Sequence, residues 1–135
     1  MNEKPFLTLE RLRQGAKLEP LVLPISEEFV AAFCRATGAE PIVMVGRQVA
    51  PTGIAGIWGR RAYLVNHRMP GGSVLFQLQY EFDRPVFVGD TLTAQARVKE
   101  ITDRKGRPLV RFRVEAKNQR GEGVAAVELA VLWSR

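Results

Sequence analysis

The sequence is poor in the residues that most often bind metals or form disulfides. It contains a single cysteine, Cys34, and a single histidine, His67. One cysteine excludes an internal disulfide and a cysteine-based zinc site, and one histidine excludes a histidine-rich metal site. We therefore expect no metal and no cofactor, and the low cysteine content fits a reducing, cytoplasmic setting.

Long hydrophobic runs are also missing. The opening segment MNEKPFLTLE lacks an apolar core of signal-peptide length. The most hydrophobic late stretch, GVAAVELAVLW, carries Glu128 and is too short to span a bilayer. From these features we expect a protein that is neither secreted nor inserted in a membrane.

The excess of positive charge is not concentrated in any one segment. Lysine and arginine outnumber the acidic residues by 20 to 14, a formal net charge of +6, without an arginine-rich arm. The arginines near Glu115 are interleaved with acidic residues, and no aromatic stacking platform is visible. We predict no nucleic-acid binding. The charge suits an ordinary solvated surface or a phosphate-bearing small molecule.

The length and composition are those of one globular domain. A chain of 135 residues is too short for two domains of ordinary size, and 46% apolar with 25% charged residues is typical of a folded protein. We predict a single domain over residues 1–135.

A glycine-rich segment, TGIAGIWGRRAYLVNH, stands at the centre of the chain and is predicted to form one helix from Thr52 to His67. Small residues recur there every three positions, which lines them along one side of a helix: Gly53, Gly56, Gly59 and Ala62. Each interior glycine costs roughly 0.8 to 1 kcal/mol relative to alanine, so this side needs a tertiary partner. Close packing on a sheet is one reason, and approach of a ligand to the helix start is another.

The start of this helix is a candidate ligand site. We expect Thr52 to cap the helix, which would leave the amides of Gly53 and Ile54 as donors for a carbonyl oxygen or a phosphate. Arg60 and Arg61 are adjacent and cannot both face a core. They are predicted either to extend into solvent or to pair with a phosphate of the ligand.

A second helix is predicted from Glu27 to about Thr37, with Ser26 as its N-cap and Cys34 on its apolar face. We interpret Cys34 as a core residue and not as a nucleophile. Before this helix, leucines and two prolines predict a short edge strand. After it, residues 39–51 are predicted to form a loop that leads to the glycine-rich helix.

The second half of the chain has the alternation of β-strands with one buried face each. Four such strands are predicted, at residues 74–82, 92–99, 110–117 and 125–133. The last is apolar on both faces, which predicts a central or interface position. Four long strands after one glycine-rich helix predict an antiparallel sheet curled around that helix, and we expect a dimer.

Three stretches together resemble the MaoC-like, (R)-specific enoyl-CoA hydratase branch of the hotdog fold. They are LERLRQGAKLEPLVLPISEEFVAAFCRATG, then MPGGSVLFQLQYEFDRPVFVGDTLTAQARV, then the turn NQRGEGV. The resemblance implies an α+β hotdog fold with a long central helix wrapped by a curved antiparallel sheet. It also implies a dimer that binds acyl thioesters of CoA or acyl carrier protein. In that family a backbone amide at the helix start holds the thioester carbonyl, which points to Thr52, Gly53 and Ile54.

The sequence departs from that family at its catalytic motif. Active members carry G-D-x-N-P-x-H after the first helix, and their Asp and His act together on the water that adds to the enoyl double bond. Here the segment reads Gly38, Ala39, Glu40, Pro41, Ile42 and Val43. One residue is missing, Ala39 stands for the Asp, and Val43 or Met44 stands for the His. Neither replacement can move a proton.

Other ionisable residues are candidates to replace this pair. Glu40 is the best placed as a base, although a loop glutamate is most often simply solvated. His67, at the predicted far end of the helix, and Asp90, in a Gly-Asp step, are interpreted as structural residues.

Three functions follow from these features. The chain is a MaoC-like subunit without its own catalytic pair, which binds the acyl chain or forms a heteromer with a catalytic hotdog partner. Alternatively, it is an enoyl-CoA hydratase or 3-hydroxyacyl dehydratase that uses a non-standard base such as Glu40. The third possibility is a homomeric acyl-CoA-binding or structural module.

Overall fold

Three helices and seven strands make up the regular structure of residues 3–134, which are the residues that the computed structural model describes. The helices are α1 (Leu9–Arg13), α2 (Glu27–Thr37) and α3 (Ile54–Arg61). The strands are β1 (Leu21–Pro24), β2 (Ile42–Met44), β3 (Arg47–Val49), β4 (Val74–Phe82), β5 (Thr91–Arg104), β6 (Arg107–Lys117) and β7 (Gly123–Leu132).

The main sheet is antiparallel and has the strand order β1-β5-β6-β7-β4. The four strands predicted in the second half of the chain are confirmed, and β1 lies at an edge, as its prolines predict. Helix α3 packs on the side of the sheet where β7 carries Val127. The result is an α+β structure in which the sheet surrounds one face of α3.

Helix α3 is shorter than the sequence predicts. It ends at Arg61, and His67 lies beyond it in an irregular segment. Directly after the helix, Ala62 is fully buried and the Tyr63 ring stacks on Phe112 with 4.3 Å between ring centroids. Burying this aromatic pair draws the chain off the helical path, a tertiary contact that the local spacing of small residues does not reveal.

The predicted cap of α3 is also wrong. The N-cap position is Gly53, and no side chain among residues 3–134 caps the helix, so Thr52 does not have that role. The first turn is tight instead, with the Ile54 amide donating to the Pro51 carbonyl at 3.1 Å and the Ala55 amide to Thr52 at 3.0 Å. Backbone hydrogen bonds between residues three apart, as in a 3₁₀ turn, often satisfy the backbone polar groups at a helix end that lacks a side-chain cap.

The glycines of α3 pack closely against neighbouring elements, as predicted. A Cβ atom added at Gly59 would lie 3.0 Å from Cγ1 of Val127 on β7. One added at Gly56 would lie 2.9 Å from the Tyr80 hydroxyl on β4. At Gly53 it would meet the Phe33 ring of α2 at 2.9 Å. The three glycines therefore let α3 touch the sheet and α2 at nearly van der Waals distance.

Helix α2 begins and ends where its sequence predicts. The Ser26 side chain accepts a hydrogen bond from the Phe29 amide at 3.1 Å, and Gly38 closes the helix in the left-handed conformation at φ 77°. Cys34 is half-buried and packs against the core, in agreement with the interpretation as a packing residue.

The predicted loop over residues 39–51 is wrong in its middle part, because β2 and β3 form a hairpin there. Val45 and Gly46 occupy its tip with φ 51° and 72°, the positive values that a tight two-residue hairpin turn requires. Val45 is 90% exposed. A β-branched residue in this conformation is rare, which is why the pattern gives no hairpin signal. Two hydrogen bonds anchor the hairpin to the segment before β5. The Ala50 amide donates to the Val86 carbonyl at 2.7 Å, and the Val88 amide donates to the Gln48 carbonyl at 2.9 Å.

Strand β4 does not have the buried face that its alternation predicts. Val74, Phe76, Tyr80 and Phe82 are all between 38% and 49% exposed. The strand lies at the outer edge of the sheet, and a bulge interrupts its register with β7 between Leu75 and Gln77. Because α3 has only eight residues, it covers only part of this edge.

The apolar composition of β7 follows from its central position, one of the two explanations that the sequence allows. It lies between β6 and β4. On its outer face Ala130 stands between Arg111 and Gln77, whose side chains hydrogen-bond to each other at 3.4 Å. Long polar side chains from both neighbours thus cover this small residue.

No helix within residues 3–134 has the length and hydropathy needed to cross a membrane.

The two interior glycines of α3 should respond oppositely to alanine. In Gly59→Ala the new methyl meets Val127, which is fully buried on a central strand and rotationally stiff. The overpacking should outweigh the gain in helix propensity, lowering the free energy of unfolding by about 1 kcal/mol. In Gly56→Ala the new methyl meets the movable end of Tyr80, so we expect a gain of about 0.5 kcal/mol. Urea denaturation followed by circular dichroism measures both, and equal effects would contradict this packing.

Candidate functional site

Two cavities lie along α3 and are the candidate site. The first, here the α3–β4 cavity, has a volume of about 580 Å³, and its lining includes Gly53, Gly56, Arg60, Arg61, Leu75 and Leu78. The second, here the hairpin cavity, has a volume of about 410 Å³, and its lining includes Met44, Thr52, Ile54, Ala55, Phe82 and Asp83. Both are of the size that small-molecule sites have.

The α3–β4 cavity brings together three of the five residues predicted to bind substrate. Gly53 lies at the helix start, and Arg60 and Arg61 lie in its last turn. The Gly53 amide has no hydrogen-bond acceptor within the described residues, so it is available to a carbonyl oxygen.

The other two predicted residues lie on the hairpin cavity. Thr52 and Ile54 both line it. The Ile54 amide already donates to the Pro51 carbonyl, so the expectation that it is a free donor is wrong. The tight first turn of α3 explains this, because it closes a bond that a side-chain cap would have left open.

The two arginines give the α3–β4 cavity its positive charge. Both side chains are exposed, and neither forms an ion pair with any residue in the range 3–134. Nearby, burial raises the pKa of Tyr63, and the charge of Arg60 opposes that rise. An anionic group entering this cavity would therefore meet two guanidinium groups that are not already neutralised.

Glu40, the predicted candidate base, is not part of the lining of either cavity. It is exposed in the connection between α2 and β2. Asp83 is the carboxylate that does line one of them, at the hairpin cavity. The sequence reasoning missed Asp83. Its available signal is its place in the sequence, since it is the first residue of the loop after β4 and loops often carry functional residues.

His67 is a buried structural residue. Its Nδ1 lies 3.1 Å from Oδ1 of Asn66, which also accepts a hydrogen bond from the Glu19 amide. The Asn66 amide group donates to the Lys17 carbonyl at 3.0 Å. Burial lowers the pKa of His67, and the charge of Arg11 lowers it further. The side chain lines neither cavity.

Asp90 also has a structural environment, as interpreted from its Gly-Asp step. Its carboxylate is buried and accepts hydrogen bonds from the Phe87 amide and from Gln119 Nε2, both at 2.9 Å. Gln119 in turn accepts from the Thr91 amide at 3.0 Å. These bonds join the turn before β5 to the turn between β6 and β7.

Within residues 3–134, no cluster of His, Cys, Asp and Glu has the composition to hold a metal ion.

Comparisons with known proteins show which family and which solved structures this chain is similar to. A family model described as "FAS1-like, dehydratase domain region" matches residues 13–127. A search of curated proteins gives no match.

The solved structures that share this fold include the following three. An unliganded R-hydratase from Pseudomonas aeruginosa has a TM-score of 0.73 at 19% identity, covering 88% of this chain and 81% of that one. A MaoC-like dehydratase from Rhodospirillum rubrum has a TM-score of 0.72 at 20% identity, with 96% and 98% covered. A C-terminally truncated (3R)-hydroxyacyl-ACP dehydratase complex from Mycobacterium tuberculosis has a TM-score of 0.70 at 20% identity, with 86% and 97% covered. The α+β hotdog fold predicted from the sequence is confirmed, with a central helix shorter than expected.

The lowered pKa of His67 predicts a pH-dependent stability. Below about pH 6.5 the unfolded chain binds a proton that the folded chain resists, so the free energy of unfolding should fall as the pH drops from 7 toward 5. Burial lowers the affinity of the His67 imidazole for a proton. The His67→Gln variant lacks this group, so its free energy of unfolding should change less with pH in this range. The midpoint of the single histidine can be read by proton NMR. A native midpoint at or above that in urea would contradict the assignment.

Proposed function

The chain belongs to the FAS1-like dehydratase domain region family, and from that premise we propose that it binds acyl thioesters of CoA or acyl carrier protein without a catalytic Asp–His pair of its own. The observation that carries the proposal is the α3–β4 cavity. It combines apolar walls with two arginines and a Gly53 amide that have no ion-pair or hydrogen-bond partner within residues 3–134, while the single histidine lies elsewhere.

The chemistry of the α3–β4 cavity matches the three parts of an acyl thioester. CoA and the prosthetic group of acyl carrier protein both carry phosphate, which suits Arg60 and Arg61. The thioester carbonyl needs one well-placed donor, which the Gly53 amide supplies at the positive end of α3. The acyl chain needs an apolar wall, and Leu75 and Leu78 are part of one.

The surroundings of the single histidine support the proposal that the catalytic pair is missing. The chain has one histidine, and it is buried against Asn66 with a lowered pKa. Met44, one of the two positions where the family's histidine would be expected, lines the hairpin cavity but cannot transfer a proton. General acid–base groups each contribute about 10² to 10⁴-fold to a rate, so we expect little hydration by this chain alone.

An exposed sheet edge supports the association with a second hotdog subunit. Strand β4 forms one edge of the main sheet, and four of its apolar side chains are exposed. An edge of this kind is a surface on which another chain can pair. We propose that the partner is either a second copy, giving a homodimer, or a catalytic hotdog subunit, giving a heteromer. One of the similar solved structures is itself described as a dehydratase complex.

One observation favours a second function, an active hydratase or 3-hydroxyacyl dehydratase. Asp83 lines the hairpin cavity and is the one acidic residue among those that line the two cavities. It would act as a base in place of the missing pair. Glu40 remains the other candidate of this kind, although its exposed position gives it less support. A homomeric binding or structural module is the third possibility.

The test measures turnover and binding on the same preparation. We expect the purified protein to bind butanoyl-CoA and octanoyl-CoA in calorimetry, yet to leave the absorbance of the matching enoyl-CoA thioesters unchanged. Hydration within about 100-fold of an ordinary enzyme would contradict the non-catalytic proposal. Asp83→Asn and Glu40→Gln would then identify the base by their loss of rate. Absence of both turnover and binding would contradict the thioester proposal itself.

Charge removal at the α3–β4 cavity should weaken thioester binding. Arg60→Gln and Arg61→Gln should each raise the dissociation constant for acyl-CoA by about 3- to 10-fold, because each loses a charge-assisted contact with phosphate. Arg97→Gln is the matched control, since Arg97 is an exposed arginine on β5 that lines neither cavity. Equal weakening in all three variants would indicate a general charge effect and contradict a specific site. The loss should also diminish with added salt.

A further inference from the structure

Tyr63 carries a polar group that the fold leaves without a partner. The residue is only 4% exposed, and its ring lies flat on Phe112, with 4° between the two ring planes. Its hydroxyl neither donates nor accepts a hydrogen bond within residues 3–134. Buried hydroxyls usually have a partner, because burial without one costs free energy. This group therefore needs an explanation outside the packing of the core.

The Tyr63 hydroxyl opens into the α3–β4 cavity. Every fully enclosed side-chain nitrogen or oxygen atom in the described part of the chain has a hydrogen-bond partner. A hydroxyl without one must therefore reach open space, and Tyr63 belongs to the lining of this cavity. The other hydroxyl in the lining, on Ser73, already accepts a hydrogen bond from the Ser134 amide at 3.2 Å. The tyrosine hydroxyl is thus the one that is available to a ligand.

Arg60 is a second donor close to this hydroxyl. Burial raises the pKa of Tyr63, and the nearby positive charge of Arg60 opposes that rise only in part. The hydroxyl therefore keeps its proton at neutral pH and can donate it to an acceptor. The Arg60 guanidinium lines the same cavity and has no ion-pair partner in the range 3–134. Two neighbouring donors thus line one cavity, and the described residues offer neither of them an acceptor.

We propose that Tyr63 and Arg60 together form a phosphate subsite in the α3–β4 cavity. This inference rests on the proposed thioester binding and deepens it. A phosphate carries several acceptor oxygens on one atom, so it can accept from the tyrosine hydroxyl and from the guanidinium at the same time. A thioester carbonyl has a single uncharged oxygen and would leave the charge of Arg60 unmatched. CoA and the prosthetic group of acyl carrier protein share the phosphate that is attached to pantetheine, and either source fits this chemistry.

The packing of Tyr63 suits it to hold a ligand in one orientation. Phe112 is fully buried on β6, and the stacked rings lie 4.3 Å apart between centroids. The hydroxyl is therefore held in place by the core, and it loses little conformational freedom when a ligand binds. The stack requires the ring alone, so the hydroxyl can be removed without changing the contact with Phe112.

The test compares ligands with and without phosphate. Dissociation constants are measured by calorimetry for butanoyl-CoA, butanoyl-4′-phosphopantetheine and butanoyl-pantetheine, of which the last has no phosphate. The wild type should bind the first two more tightly than the third. Tyr63→Phe should raise the dissociation constants of the two phosphate-bearing ligands by about 10-fold, because each loses a hydrogen bond to a charged group. The dissociation constant of butanoyl-pantetheine should not change.

Two controls show that any loss comes from the site. Tyr80→Phe removes the same atom from the chain's only other tyrosine, which lines neither cavity, and it should leave all three dissociation constants unchanged. In urea denaturation, Tyr63→Phe should unfold at a midpoint no lower than that of the wild type, because its missing hydroxyl has no partner in the described structure. A clearly lower midpoint would contradict the unpartnered hydroxyl on which the subsite is based.

The outcomes separate this inference from the proposed function. If Tyr63→Phe binds all three ligands like the wild type, or weakens all three equally, the subsite is overturned while thioester binding stands. If the wild type binds none of them, the proposed function fails and the subsite fails with it. A loss with both phosphate-bearing ligands supports recognition of the phosphate on pantetheine. A loss confined to butanoyl-CoA supports a phosphate subsite for the nucleotide part, which CoA alone carries.

Discussion

The close contact between α3 and the sheet is the constraint on which the rest of the structure depends. Gly59 allows the helix backbone to rest on Val127, and any side chain at that position would hold the two apart. The cost of glycines in a helix is thereby offset by burial of the surrounding apolar surface. The same approach brings Gly56 within reach of the Tyr80 hydroxyl on β4.

The proposed function separates binding from chemistry. Binding needs a donor, a positive charge and an apolar wall, all of which can be supplied by residues that also serve the fold. Proton transfer needs side chains with a suitable pKa at the reacting atoms. Here the one histidine stabilises the neighbourhood of Asn66, and burial favours its neutral form. A chain of this kind can hold a thioester and depend on a partner subunit for the reaction.

Local patterns in the sequence predicted much of the fold. Alternation located the strands of the main sheet, and the cap chemistry of Ser26 and Gly38 bounded α2. Three differences have tertiary causes. Tyr63 ends α3 by stacking on Phe112, Val45 takes a conformation that its residue type disfavours, and β4 lies at an edge that α3 covers only in part.

Local patterns also predicted part of the candidate site. Gly53 and Arg60 meet on one cavity because they are seven residues apart and lie on one side of a helix, which spacing alone reveals. Arg61, the next residue, lines the same cavity. The position of Asp83 on the hairpin cavity depends on how the chain at the end of β4 lies against α3. That relation is a property of the folded chain and has no local signature.

The most direct test of the central claim is an NMR titration of ¹⁵N-labelled protein with a non-hydrolysable acyl-CoA analogue that keeps the carbonyl group. If the carbonyl is held at the start of α3, the Gly53 amide signal should move downfield on saturation. The signal of Gly121, in the turn between β6 and β7, should stay in place. Saturable binding that leaves Gly53 unchanged, or no saturable binding at all, would contradict the account.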